Sequence, residues 1–368
     1  MYKGKRPPPN PWFFAFLPPV IFILLFYILR KNSALINFWV FHCMAPLMQT
    51  IGRFWGLFPF SVAECIIAAV LVFMVCCLGY SVFTSITHRS LLPLQRSTAL
   101  LLCLVLWLWS GLCWLWNCTY YADSFSTRSG LHPQPYTFEQ LVDTTVYFAQ
   151  QTAALSSQVP RDEQLHFALP RQEAIQRGIT IYDHVSTMLP TLELSATRVK
   201  PLLFSQLQSR LGFTGVYFPF TGEANVNVDS PACLFPVTIA HEMSHQRMVA
   251  AEDEANFVGI LACVTCDDTA FQYSGYLMGL IHLSNAVFSV SPDTLYTIMD
   301  EHFTPELYTD WMDNNNYWKA LESPVEEAAE TTYSNYLKQN DQELGIRSYG
   351  ACVDLLVTYF SEKNPEQN

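Results

Sequence analysis

The sequence predicts a mainly α-helical membrane protein, in which three transmembrane helices precede an α-rich α+β domain with a small β-hairpin or edge sheet. Of its 368 residues, 51% are hydrophobic and only 14% are charged. Three long runs lack charged residues, most of the remaining chain repeats apolar residues at helical spacing, and one stretch alternates as a strand does. This composition excludes a disordered chain, a nucleic-acid-binding protein and a fully water-soluble enzyme.

Charge is divided unevenly along the chain. Residues 1–117 contain eight basic residues and one acidic residue, Glu64, hence a net charge of +7. The remainder contains 12 basic and 31 acidic residues, hence a net charge of −19. The first third therefore looks lipid-embedded, and the rest looks like an acidic domain in water.

The three uncharged runs are long enough to cross a bilayer, which needs roughly 20 residues. They predict spans at about 12–29, 61–83 and 97–120 within a membrane anchor domain, residues 1–122. Backbone amides have no water partner in lipid, so the spans must be helical. Pro18-Pro19 interrupts the first run and no small-residue cleavage site follows Leu29, which favours an uncleaved anchor over a signal peptide.

The moderately apolar segment 34–57 is either a helix on the membrane surface or a fourth span. Several polar residues and a mid-segment proline favour the interfacial helix: His42, Pro46, Gln49 and Thr50.

Basic residues predict how the chain is oriented in a cell membrane. Five lie before the first span or between the second and third: Lys3, Lys5, Arg6, Arg89 and Arg96. Three lie between the first two spans: Arg30, Lys31 and Arg53. The excess predicts a cytoplasmic N-terminus, and with three spans an extracytoplasmic C-terminal domain.

That domain is predicted to cover residues 137–368, after a polar linker at 123–136 that contains Gly and Pro. Its pattern is mainly helical. The stretch 215–229 is the exception, since Thr221-Gly222 predicts a turn between two short extended pieces.

The residues that indicate chemistry are His241-Glu242 and His245. Two histidines four positions apart project from one face of a helix and can bind one zinc ion. Glu242 can then accept a proton from the water that zinc activates, and pass it to the leaving amine. The neighbours are uncharged, as in a buried zincin-type helix, except for Arg247.

A catalytic zinc needs a third protein ligand. Glu252 to Asn256 resembles the E-x-x-A/S-D segment of gluzincin metallopeptidases. The resemblance implies that Glu252 binds zinc and that Asn256 accepts a hydrogen bond from a ligand histidine. Glu254 is the alternative ligand. Only six residues separate His245 from Glu252, so the chain must turn sharply between them.

Two further features were assigned to the site. The strand that carries Glu223, Asn225 and Asn227 stands where zincins place the edge strand that pairs with a peptide substrate, although an ordinary hairpin explains it equally well. Tyr349, in Arg347-Ser-Tyr-Gly350, is the candidate for stabilising the oxyanion. Cys263-Val-Thr-Cys266 is interpreted as two small residues of a buried helix rather than as a redox pair.

Several segments together resemble DUF3810, a bacterial membrane-protein family of unknown function. They are Pro59–Glu64, Tyr217–Asn225, Thr238–Arg247, Glu252–Phe257 and Ser348–Gly350. Members usually have glycine after His-Gln-Arg, where this chain has Met248. A bulkier residue must therefore make a turn that glycine makes easily.

These residues lead to the expectation of a membrane-anchored zinc (Zn2+) metallopeptidase that hydrolyses peptide bonds of extracytoplasmic peptides or proteins. Its partners would be the lipid bilayer and a substrate at the outer membrane surface, with no nucleic acid. The alternative is a catalytically inactive, zinc-binding sensor or scaffold of the cell envelope.

Overall fold

The structure is a computed structural model that describes residues 11–194, 197–342 and 349–361. The described chain forms two compact units. The first comprises residues 11–44 and 62–122, and the second comprises Ala45–Ser61 with the described residues from Asp123 onward.

The helices of the N-terminal third are apolar, and three of them are long. They are α1 (Pro11–Leu29), α2 (Ser33–Asn37), α3 (Ala45–Trp55), α4 (Val62–His88) and α5 (Leu92–Leu115). A π-helical segment, Phe38–Met44, joins α2 to α3. It lies just before Pro46, which cannot donate to the preceding turn and so loosens the α-helical hydrogen bonding there.

Three helical segments are long and apolar enough to cross a membrane: Ser33–Trp55, Val62–His88 and Leu92–Tyr121. They identify a membrane protein. The second covers the span predicted at 61–83 from Val62 onward, and the third contains the span predicted at 97–120. The segment 33–55 is long enough to cross the membrane, which is the alternative to an interfacial helix. Ala15–Leu29, which lies within the predicted first span, is a shorter apolar helix.

Aromatic and basic side chains tie the first unit together where its apolar helices end. Arg30 donates to the Tyr121 hydroxyl at 2.7 Å, and its guanidinium lies 4.9 Å from the centre of the Tyr121 ring. The indole of Trp39 donates to the carbonyl of Trp114 at 2.8 Å. Such amphipathic groups are typical of the boundary between lipid and water.

The second unit is mainly helical as well. After α3 its helices are α6 (Phe125–Ser129), α7 (Phe138–Ser156), α8 (Arg171–Arg177), α9 (Asp183–Met188), α10 (Ser205–Arg210), α11 (Phe235–Gln246), α12 (Glu252–Thr265), α13 (Thr269–Val290), α14 (Pro292–His302), α15 (Pro305–Leu321), α16 (Pro324–Gln339) and α17 (Tyr349–Ser361). Ser291, Thr304 and Ser323 each cap a helix that begins with proline. A capping hydroxyl followed by proline is a strong local signal for a helix start.

The core of this unit surrounds α13, which packs against α7, α11, α12, α14 and α17. Fully buried members include Phe148, Phe257, Phe271, Leu277 and Leu356. The segment predicted as a linker contributes as well. It contains α6, whose Phe125 is buried against Phe257, so its Gly and Pro residues flank a packed helix rather than a free tether.

A three-stranded sheet completes the unit. Its strands are β1 (Lys200–Pro201), β2 (Gly215–Phe218) and β3 (Glu223–Val226), in the order β1-β3-β2. β2 and β3 are antiparallel, with Gly215 opposite Val226, and β1 runs parallel to β3, with Lys200 opposite Asn225. Gly222, at a φ of 66°, supplies the left-handed residue of the β2–β3 turn.

This order corrects the assignment of an edge strand. β3 is the middle strand and all four of its residues are buried. Glu223 pairs with Lys200, and the Asn225 amide donates to the carbonyls of Val216 and Glu223. Asn227 donates to Phe213 and Ser209. These three side chains therefore stabilise the sheet, and β2 forms its edge.

Candidate metal centre

Helix α11 brings two imidazoles together in the interior of the second unit. Pro236 lies in its first turn, and nearly every residue of the helix is buried. His241 and His245 are one turn apart, and their Nε2 atoms are separated by 3.1 Å. The two rings are perpendicular, with an interplanar angle of 89°. The lone pairs of the two Nε2 atoms can therefore be directed at one point between the rings.

Helix α12 supplies a carboxylate to the same point. The Oε2 atom of Glu252 lies 3.2 Å from Nε2 of His241 and 3.8 Å from Nε2 of His245. Donors bound tetrahedrally to zinc at about 2.0–2.1 Å are roughly 3.3 Å apart. The three separations are close to that value, so the donor set and its spacing fit zinc.

The turn between α11 and α12 is a Schellman motif. The amide of Val249 donates to the carbonyl of Ser244, and the amide of Met248 donates to the carbonyl of His245. Met248 occupies the position that usually holds glycine, and its φ is 59°. This conformation costs a non-glycine residue about 1 kcal/mol or more, which burial of the methionine side chain offsets.

The same turn orients His245. It places the carbonyl oxygen of Val249 2.7 Å from Nδ1 of His245, within hydrogen-bond distance. A proton held on Nδ1 leaves Nε2 with a lone pair for a metal ion. Burial lowers the pKa of His245 to about 4, so this imidazole is neutral, as a metal ligand must be.

Glu252 is in its anionic form. Although burial favours the neutral acid, the hydrogen bond from His241, the electrostatic interaction with both imidazoles and the hydrogen bond from Tyr333 lower the pKa of Glu252 to about 2. Burial alone would lower the pKa of His241, but Glu252 raises it, with a contribution from the Asn256 side chain. Asn256 thus lies beside this histidine, although Nδ1 of His241 has no hydrogen-bond partner among the residues that the structure describes.

Glu242 points away from solvent beside this cluster. It is buried, and its Oε2 atom has no hydrogen-bond partner among the described residues. Burial raises the pKa of Glu242 to about 8, with Glu252 adding to the effect and His241 opposing it. A buried carboxyl with an unused oxygen next to three potential ligands fits a proton-transfer role.

Gly215 of β2 makes room for Glu242. A Cβ atom at position 215 would lie 2.5 Å from Oε1 of Glu242 and 2.7 Å from its Cγ and Cδ. The backbone of β2 at Gly215 thus packs directly against the carboxyl group of Glu242, with no side chain between them.

Gly215→Ala is therefore expected to displace the Glu242 carboxyl and leave the three ligands in place. A shift of about 1 Å in a reacting group can cost on the order of 100-fold in rate. For the peptide hydrolysis that the sequence leads us to expect, we predict a fall of that order with no change in the capacity to bind zinc. The control is Gly350→Ala, because a Cβ there would meet nothing within 4 Å. Equal activities of the two variants would contradict this role of Gly215.

Tyr333 was not anticipated from the sequence. Its hydroxyl, from α16, donates to Oε1 of Glu252 at 2.5 Å, leaving Oε2 directed at the histidines. Its ring packs against Phe213 and stacks on Tyr336. Because 81 residues separate the two partners, only the tertiary fold reveals that Tyr333 holds the side chain of this candidate ligand.

Tyr333→Phe should weaken zinc binding by roughly 10–100-fold, the usual effect of losing a partner that orients a ligand. Phenylalanine keeps the ring contacts, so the thermal unfolding temperature should change little. Competition with a fluorescent chelator measures the affinity. An unchanged affinity would show that the hydroxyl does not orient Glu252.

Comparison with known proteins places the chain in a family. The model of a family described as "Protein of unknown function (DUF3810)" matches residues 42–357. The chain belongs to the DUF3810 family. No curated protein and no solved structure matches it. The matched region includes both helices of the candidate metal centre and the whole sheet, but the family name assigns no activity to them.

In this family member, Glu254 is directed away from the cluster. Its two carboxylate oxygens accept hydrogen bonds from the backbone amides of Phe125 and Ser126, at 2.7 and 2.9 Å. It therefore caps the first turn of α6, where a carboxylate is favourable. Glu252, rather than Glu254, is the carboxylate that the fold brings to the histidines.

The remaining residues singled out in the sequence have other positions. Tyr349 begins α17, but its side chain lies outside the described residues, as does Arg347. Cys263 and Cys266 are buried, and burial raises the pKa of both thiols, to about 11 for Cys266. These thiols stay protonated at neutral pH, which favours the interpretation as small residues of a buried helix.

Arg247 is accommodated by stacking. Its guanidinium lies 3.6 Å from the centre of the Tyr182 ring and donates to the carbonyls of Leu192 and Met243. Tyr182 in turn donates to the Ala240 carbonyl. A cation therefore replaces the apolar residue expected there and fixes the C-terminal end of α11.

Proposed function

We propose that this protein is a membrane-anchored zinc metallopeptidase that hydrolyses extracytoplasmic peptides or proteins. The observation that carries the proposal is the convergence of His241, His245 and Glu252 beside Glu242, whose buried Oε2 atom has no partner among the described residues. A zinc site that serves only structure has no need of such a group.

His241, His245 and Glu252 would hold the zinc ion. When bound, zinc supplies Lewis-acid chemistry, polarising a carbonyl and making water a better nucleophile near neutral pH. Glu242 would accept a proton from the attacking water at Oε2 and return it to the leaving amine. With a divalent cation bound nearby, the pKa of Glu242 would lie below the value of about 8 that burial gives it, so its carboxylate form would be available.

The sheet supports a peptide as the substrate. β2 pairs with β3 on one side and, among the described residues, with no strand on the other. Val216 in the middle of β2 is 40% exposed, and Gly215 at its start contacts Glu242. An extended peptide that paired with β2 would pass the proton-transferring carboxyl.

The test uses the full chain in lipid nanodiscs. We expect one zinc per chain by elemental mass spectrometry, and cleavage of an unfolded protein such as casein that a chelator stops and added zinc restores. Protein that cannot be loaded with zinc would contradict the metal site. Loaded protein that cleaves no member of a broad peptide library would favour the inactive sensor or scaffold instead.

The extracytoplasmic location needs a separate measurement. A reporter that is active only outside the cytoplasm, fused to the C-terminus of the full chain, is expected to be active. An inactive reporter on a folded fusion would place the candidate site in the cytoplasm and change the class of substrate.

A further inference from the structure

The second unit carries an exposed apolar surface. It comprises Leu57, Phe58 and Phe60 after α3, and Leu203, Phe204 and Leu207 at the start of α10. All six side chains are exposed, Leu57 by 77% and Leu203 by 59%. Six large apolar residues in contact with water indicate an interaction surface.

Helix α3 and its C-terminal extension are firmly part of this unit. Its Met48 and Gly52 are buried one turn apart. A Cβ at Gly52 would lie 2.9 Å from the carbonyl oxygen of Gly222, and a Cβ at Gly222 would lie 2.6 Å from that of Met48. The backbones of α3 and the β2–β3 turn therefore touch, and α3 cannot move independently of the sheet.

Lys200 fixes the two parts of the apolar surface to each other. Its buried Nζ atom donates to the carbonyls of Trp55, Phe58 and Phe60, at 2.9, 2.5 and 3.1 Å. The same ammonium pairs with Glu223 at 3.1 Å. Leu203 is three residues further along the chain, so its Cα atom lies within about 11 Å of the Cα atom of Lys200 even if the chain between them is fully extended. Lys200 therefore links the segment 57–60 to the chain that leads into α10.

The charges of this surface differ from those of the rest of the unit. Residues 45–61 contain one charged residue, Arg53, and residues 197–211 contain Arg198 and Arg210 besides the buried Lys200, whose charge Glu223 balances, with no acidic residue in either segment. The chain beyond residue 117 has a net charge of −19. An acid-free, weakly basic surface in a strongly acidic domain suits an anionic lipid surface.

The chain itself identifies the occupant. Ser61 is followed directly by Val62, the first residue of α4, which is long and apolar enough to span a membrane. The exposed residues 57–60 lie within five positions of that helix, so they reach the bilayer by chain continuity. Leu203, Phe204 and Leu207 are joined to them through Lys200.

We propose that this apolar surface docks on the lipid bilayer, with Leu203, Phe204 and Leu207 inserted among the lipids together with Leu57–Phe60. The second unit is then held against the membrane by a surface of its own, in addition to its covalent links to the membrane helices. The proposal does not depend on zinc or on peptide cleavage.

Lipids that carry a diazirine on the acyl chain test this docking. The full chain is placed in nanodiscs of phosphatidylethanolamine and phosphatidylglycerol, irradiated and digested, and the labelled residues are located by mass spectrometry. We expect the segment 201–210 to be labelled several-fold more than the segment with Val290 and Tyr296, which are equally exposed in the same unit.

Variants make the test specific. Leu203→Ser with Phe204→Ser and Leu207→Ser should remove labelling from 201–210, whereas Val290→Ser with Tyr296→Ser should leave it unchanged. Since all five positions are exposed, both variants should fold, and circular dichroism checks this. Labelling of 201–210 no higher than at Val290 would overturn the proposal. Dimers that only the triple variant dissociates, without lipid labelling, would assign the surface to a second copy and equally overturn it.

Discussion

Glu242→Gln is expected to lower kcat/KM for peptide hydrolysis by roughly 10²–10⁴-fold, the usual contribution of a general base. Glutamine fills nearly the same space next to Gly215 but cannot accept the proton. Because Glu242 is not among the three converging donors, zinc content should remain at one per chain.

The measurement combines elemental analysis with initial rates on the same nanodisc preparation. A Glu242→Gln variant that keeps zinc and full activity would end the proposal that this carboxyl transfers a proton. A variant that loses both zinc and activity would instead place Glu242 among the ligands.

Glu252→Gln should all but abolish zinc binding, and with it hydrolysis. The side chain supplies one of three donors, and its pKa of about 2 shows that the fold favours the anion over the neutral group. A neutral amide is a poor zinc ligand. The loss of affinity should exceed the roughly 10–100-fold expected for Tyr333→Phe, which only frees the same carboxylate from its hydrogen bond.

Glu254→Gln is the matched control, with the same substitution two positions away on the same helix. Zinc should bind as in the wild type. Stability should fall by about 1.5–3 kcal/mol, because hydrogen bonds from the amides of Phe125 and Ser126 to a charged acceptor are weakened. Chemical unfolding measures the second effect. If zinc were lost in Glu254→Gln and kept in Glu252→Gln, the ligand set proposed from the geometry would be wrong.

The parts of the site that the sequence predicts are those set by local periodicity. His241 and His245 lie together because four positions make one helical turn. The sharp turn near Met248 follows from the short distance in sequence to Glu252. The direction of Glu254 could not be read in the same way, because it depends on backbone amides of α6, about 130 residues earlier.

Long-range pairing explains the other differences. β3 resembles an edge strand in sequence, and it becomes the middle strand through a parallel partner of only two residues, Lys200 and Pro201. So short a strand has no pattern of its own. The sequence of helix α15 is mostly polar and so gives little apolar periodicity, and only Thr304-Pro305 indicates where the helix begins.

The contact between Gly52 and Gly222 would fix the distance between the docking surface and a peptide bound at β2. It joins α3 to the turn at the far end of β2, and four residues of that strand, rising about 3.3 Å each, lead from this turn to Gly215. If the docking surface that follows α3 rests on lipid and a substrate pairs with β2, the scissile bond would lie at a set height above the headgroups. Cleavage sites would then be selected by their distance from a tether, as in the stalk of an anchored protein, rather than by side-chain identity.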